Sequence, residues 1–116
     1  MASILDWERA LENTDGSEEL LIELAGVFID ECPEMMRQIR TAIDERDAPA
    51  LQRAAHSLKG SARIFAATAA ADAALEFETM GAEGDLSDAE KRWITLNDQV
   101  EKLMAALAER SGQENI

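Results

Sequence analysis

The chain of 116 residues holds one histidine and one cysteine, and the histidine has the surroundings that point to chemistry. It lies in the segment ALQRAAHSLKGSARIF, residues 50–65. Leu51, Ala54, Ala55, Leu58, Ala62 and Phe65 recur there at helical spacing and form one apolar stripe that must face a core. At about 100° per residue, His56 projects about 160° from Leu58 and Gly60 about 160° on the other side. The imidazole is therefore expected to face water near the middle of its helix, with Gln52, Lys59 and Arg63 on the same outer face. A neutral imidazole presented in this way is a nucleophile, and a phosphoryl group is a substrate that such a ring can carry.

Gly60 stands one turn beyond the ring, inside the helix, where glycine costs about 1 kcal/mol relative to alanine. Either it lets a neighbouring helix pack closely, or it clears space over the imidazole for the backbone of another protein. The outward projection favours the second use. Charge points the same way: between Ala48 and Ala71 stand Arg53, Lys59 and Arg63 and no acidic residue, a segment of +3 in a chain of −13. A phosphorylated side chain adds about two negative charges that nearby cations can hold, and Lys59, about one turn from His56, is placed to do so. A solvated basic face is the alternative reading of the same cluster.

The elements that position this helix follow from composition and punctuation. Hydrophobic residues make up 47% of the chain while prolines number two and glycines six, which favours helices, and no run alternates as a half-buried strand would. The expectation is an all-α single domain over residues 1–116. It is an up-and-down four-helix bundle with a short extra N-terminal helix at about 4–13 and bundle helices at about 17–46, 48–65, 68–81 and 87–110, ending in a frayed tail at 111–116. Ser3 with Asp6, Ser17 with Glu18 and Glu19, Asp47 with Pro49, and a capping box of Ser87 with Glu90 mark helix starts. Gly81 and Gly84 are read as closing the fourth helix. On the second helix Leu21, Leu24, Phe28, Cys32, Met35, Ile39 and Ala42 keep one apolar phase across Pro33, so a single helix with a bend is expected.

A second stripe on that helix, Ile22, Ile29 and Met36, recurs every seven residues. Ile22 is expected to seat the first helix through Leu5, Trp7 or Leu11. Ile29 or Met36 is expected to stay partly exposed and to join Gly60 and Ile64 in an apolar patch around His56. Arg53, Lys59 and Arg63 would form its polar rim, the plan of a docking surface, with Gln52 a further partner-binding residue.

Several classes of function are disfavoured. A charge of −13 suits neither nucleic acid nor insertion into an anionic membrane, and no run of about 18 apolar residues is present. The start MASILDWERALE lacks the basic and apolar regions of a secretory signal, so a cytoplasmic location is expected. Cys32 reads as a small buried apolar residue. One histidine cannot build the paired Glu-x-x-His motifs of a carboxylate-bridged metal bundle, and an outward histidine is a poor haem ligand. A hydrolase would need an acid to orient His56, yet its own helix face offers none, and Ser57 and Ser61 are angled away.

The residues His56 to Ala62, HSLKGSA, resemble the signature of the histidine-containing phosphotransfer family, in which a histidine precedes Lys-Gly and a small residue. The runs IDERDAPALQRAAHSLKGSA and LDWERALENTDGSEELL, and Leu75 with Glu76, are similar to the family pattern, so the likeness covers most of the chain. It implies that His56 is the phosphoryl acceptor, that Lys59 steadies the phosphoryl group and that Gly60 gives clearance to a response-regulator receiver domain. The partners implied are that receiver, which would hold Mg²⁺ and the acceptor aspartate, and a hybrid sensor histidine kinase; no cofactor is expected on this chain, which is expected to be a monomer. No kinase ATP-binding motif is present, so a phosphocarrier rather than a self-phosphorylating enzyme is implied. Two positions depart from the family, Ala66 where glycine is frequent and Ala70 where a larger apolar residue is. A helical adaptor that binds partners without phosphorylation is the competing function.

Overall fold

A computed structural model describes residues 4–111. Among these the helices are α1 (Trp7–Glu12), α2 (Glu18–Glu45), α3 (Ala48–Ile64), α4 (Thr68–Glu83) and α5 (Ala89–Ser111). The four long helices form a ring in which α2 touches α3 and α5, and α4 touches α3 and α5, while α1 lies against α2. This is the expected four-helix bundle with an additional short helix. Ser3 and the tail beyond Ser111 lie outside the described residues.

Short connections force neighbouring helices to run antiparallel, and local chemistry makes them short. At the end of α2, Arg46 takes a left-handed conformation with φ 53°, and the Asp47 amide donates to the Ala42 carbonyl. The Asp47 side chain then accepts from the Ala50 amide and starts α3, with Pro49 in the first turn. Between α3 and α4, Ala66 is left-handed with φ 52° and the Ala67 amide returns to the Ala62 carbonyl. Alanine bears a steric cost in that conformation that glycine would not. Asn13, just past α1, donates through Nδ2 to the Ile64 carbonyl at 2.9 Å and so satisfies one open acceptor at the end of α3.

The core is aliphatic and small-residue rich. Phe28 meets Phe65 edge to face at 5.7 Å, and the expected α3 stripe from Leu51 to Phe65 is buried throughout. On α2 the buried set differs from expectation: Ala25 and Met36 are inside, whereas Leu24 and Met35 are half-buried. Leu21 and Cys32, Ala25 and Met36, and Phe28 and Ile39 are pairs eleven residues apart, the repeat of a nearly straight helix. A seven-residue stripe drifts by about 20° per repeat on such a helix, so Ile22 and Ile29 stay at the flank while Met36 rotates into the core. Met36 therefore does not belong to an exposed patch. α2 passes through Pro33 as one helix, and Pro33 itself is exposed.

Two other expected signals are used differently. The Ser87 amide and hydroxyl both donate to Asp85, at 3.1 and 2.7 Å, and Glu90 pairs with Arg40 of α2, so the expected capping box does not form. Gly84, left-handed with φ 71°, ends α4, but Gly81 is buried inside that helix. A Cβ at Gly81 would lie 2.6 Å from the Gln52 amide nitrogen and 2.7 Å from the Ala48 carbonyl oxygen, so only glycine lets the α4 backbone come this close to α3. A Cβ added at Gly60 would meet nothing within 4 Å, and Gly60 is exposed, which removes the close-packing reading for it.

These two glycines should respond oppositely to the same substitution. Gly81→Ala is expected to destabilise the fold by about 1–3 kcal/mol through backbone overpacking, whereas Gly60→Ala should stabilise it by about 1 kcal/mol through helix propensity. Chemical denaturation of the two variants measures both, and equal shifts would contradict the packing described.

Candidate functional site

The site is built where the close approach at Gly81 fixes the register of α3 against α4. One turn back along α4 from Gly81 stands Glu78, and one turn forward along α3 from Gln52 stands His56. The Glu78 carboxylate reaches two side chains of α3 at once. Its Oε2 lies 2.9 Å from His56 Nδ1, and its Oε1 lies 2.5 Å from Lys59 Nζ.

The three groups differ in exposure. The His56 side chain is 68% exposed, as expected from the helical projection, while those of Lys59 and Glu78 are 11% and 18% exposed. Lys59 is thus not on the outer face. It lies one residue beyond buried Leu58, about 100° round the helix, which is the flank that α4 covers. Its charge is spent on Glu78. The Oε1 atom is buried with no well-angled hydrogen-bond donor, so the ammonium is its counterpart as a charge contact.

This arrangement selects the ring nitrogen that carries the hydrogen. Contact with the Lys59 ammonium, and next the hydrogen bond from His56, holds the Glu78 carboxyl below the usual carboxylate range. Glu78 is therefore ionised at neutral pH and accepts only. The atom it meets, Nδ1, must carry the hydrogen, so in the neutral ring Nε2 keeps a free lone pair. An exposed ring with a fixed tautomer and an open Nε2 is a nucleophile held ready for an incoming electrophile.

Around it, Gln52, Arg53 and Arg63 are exposed and Ile64 is half-buried. Ile29 is half-buried on α2 and Met36 is in the core. On the α2 side a cleft lined by Arg37, Gln38, Arg53 and Ser57 runs beside α3. Among the described residues no cluster of three metal-ligating side chains occurs, and no helix is long and apolar enough to cross a membrane.

Glu78 is the residue that sequence reasoning missed. The acid absent from the face of α3 comes from the next helix, and Glu76, which the family pattern picks out, instead faces Arg92 of α5 at 3.4 Å. Two residues apart on one helix, the two carboxylates point to different neighbours. A glutamate placed one turn from a glycine that packs against α3 was the available signal, once that glycine is read as a packing contact.

Comparison with known proteins shows the family. The family model of the Hpt domain matches residues 23–110, most of the chain, and the protein belongs to the Hpt domain family. Its role is accordingly histidine phosphotransfer in a two-component phosphorelay. Among solved structures the fold is similar to histidine-containing phosphotransfer protein B from Pseudomonas aeruginosa PAO1. The identity is 22%, 97% of this chain and 98% of that one are covered, and the TM-score is 0.86. It is also similar to the HPT domain from a sensor hybrid histidine kinase of Shewanella, with 22% identity, 95% of both chains covered and a TM-score of 0.83. No curated protein sequence matches the chain.

The ion pair ties the stability of the fold to pH. A carboxyl depressed in the folded state contributes stability that is present above its unfolded value and is lost as pH falls through the folded value. Lys59→Met, which keeps the stem and removes the charge, is expected to cost about 1–2 kcal/mol at neutral pH. The gap to the parent should shrink as pH falls through the acid range, in denaturation measured at a series of pH values. A gap independent of pH would mean that Lys59 stabilises through packing alone.

Proposed function

We propose that His56 is the phosphoryl acceptor of this domain, and that it exchanges the group with the aspartate of a response-regulator receiver domain. The observation that carries this reading is the exposed imidazole whose Nδ1 is engaged by Glu78 and whose Nε2 is open. In the transfer, the Nε2 lone pair attacks phosphorus of the receiver's aspartyl phosphate. The N–P bond forms, the P–O bond to the aspartate breaks, and its electron pair stays on the released carboxylate. Such a transfer is chiefly positioning and charge stabilisation, so a helix that offers one oriented nucleophile suffices when the partner brings the aspartate and Mg²⁺.

The neighbours have supporting parts. Lys59 balances the charge of Glu78, so the phosphoryl group is met by a pair of no net charge rather than by a lone carboxylate. Gly60 leaves the space one turn beyond the ring free for the receiver backbone, which an added side chain would occupy. Gln52, Arg53 and Arg63 rim the approach, with Ile64 and Ile29 as its apolar part. A hybrid sensor histidine kinase fits as the source of the phosphoryl group. We place the protein in the cytoplasm as a monomer.

Incubation with a phosphorylated receiver should give a label on the parent chain that is stable in base and labile in acid, as expected of an N–P bond, and His56→Gln should take none. Ile64→Asp is expected to weaken receiver binding at least tenfold relative to Thr95→Asp, an exposed control on α5. Label retained by a folded His56→Gln would place the acceptor on another residue, and binding without any label on the parent would leave only an adaptor role.

A further inference from the structure

Glu78 is an anion in contact with the nucleophilic ring, and this matters most once the ring is loaded. Resting on the reading of His56 as phosphoryl acceptor, we propose that Glu78 keeps the proton on Nδ1 after Nε2 is phosphorylated, so that the phosphoryl group departs from a protonated ring. Glu78 acts here as a positioning residue, through the proton it holds and without touching the phosphorus.

The proposal follows from the electron count of the step. When Nε2 gives its lone pair to phosphorus, the ring that bears N–P and Nδ1–H carries a positive charge. If Nδ1 then loses its proton to water, the loaded ring is neutral. Onward transfer from that form breaks the N–P bond and returns the pair to Nε2 as imidazolate, a strong base and a poor leaving group. With the proton kept, the same bond cleavage releases neutral imidazole while the new P–O bond forms on the receiver carboxylate. The Nδ1 to Oε2 contact of 2.9 Å places an ionised carboxylate against the proton that decides between these routes.

Other charges around the ring are farther away or already engaged. Lys59 opposes the effect but sits on the far oxygen of the same carboxylate. Arg53 and Arg63 stand one and two turns along α3 and are exposed, where solvent screens them. From α2, Arg37 lines the neighbouring cleft and is held by Glu34. From α4 the charged group at the ring is Glu78 itself. Direct contact with an opposite charge favours the charged form of a titrating group by about one to three pH units. A neutral amide could accept the same hydrogen bond but would supply no such charge.

The test uses the whole chain, phosphorylated by a small phosphoramidate donor and followed by ³¹P resonance against pH, in the parent and in Glu78→Gln. The titration midpoint of the loaded ring should lie at least about one pH unit higher in the parent. Transfer to an unphosphorylated receiver should decline tenfold per pH unit above each protein's own midpoint, so the variant's profile breaks at lower pH. Because Glu78→Gln leaves Lys59 without its counterion, the double variant Lys59→Gln, Glu78→Gln guards against loss of fold and should also titrate below the parent. Equal midpoints in all three would overturn the role given to Glu78 while His56 remained the acceptor. No loading of the parent at His56 would instead overturn the acceptor reading on which it rests.

Discussion

The close backbone contact at Gly81 is the constraint on which the site depends. α4 can slide along α3 only where its surface lets the two backbones meet, and the glycine that lies against Ala48 and Gln52 fixes one register. With that register set, Glu78 falls beside His56 and Lys59 without further adjustment. Small buried residues recur along α4 at Ala70, Ala73 and Ala74. A larger side chain at Gly81 would widen the gap that the carboxylate has to bridge.

What the register assembles is a small electrostatic unit on an otherwise bare helix. The carboxylate is half enclosed, ionised and shared between a lysine that stabilises its charge and an imidazole that gains a fixed tautomer. The exposed ring is thereby oriented by a group that belongs to a different helix. The remainder of the bundle serves to hold α3 rigid beneath it. Asp47 caps its start, Asn13 satisfies its end, and the continuous apolar stripe from Leu51 to Phe65 anchors its inner face. The opposite corner is tied by Arg40, which pairs with Asp44 and Glu90 and lies 5.2 Å over the Trp93 ring.

Features that depend on one helix alone are legible in the sequence. The helix of His56, its buried face, the outward histidine and the exposed Gly60 all follow from a period of 3.6 residues and need no knowledge of a neighbour. Features that depend on two helices are not. Gly81 reads as a stop signal until α3 is seen against it, and Glu78 has no meaning before the register is known. Projection from α3 alone puts Lys59 on the outer face, because it does not show that α4 covers that flank. Met36 departs from expectation for another reason, since a seven-residue stripe does not track a helix whose buried positions repeat every eleven. Ser87 and Glu90 match a capping pattern, but other partners, Asp85 two residues before Ser87 and Arg40 on α2, take them.

On the proposed function, Glu78 fixes the His56 tautomer and leaves Nε2 as the open nucleophile. Because the chain has one histidine, a ¹⁵N spectrum of the unphosphorylated protein reports that ring without ambiguity. At a pH where the ring is neutral, a protonated Nδ1 and a bare, pyridine-like Nε2 are expected. A ring found mainly with its hydrogen on Nε2 would contradict it.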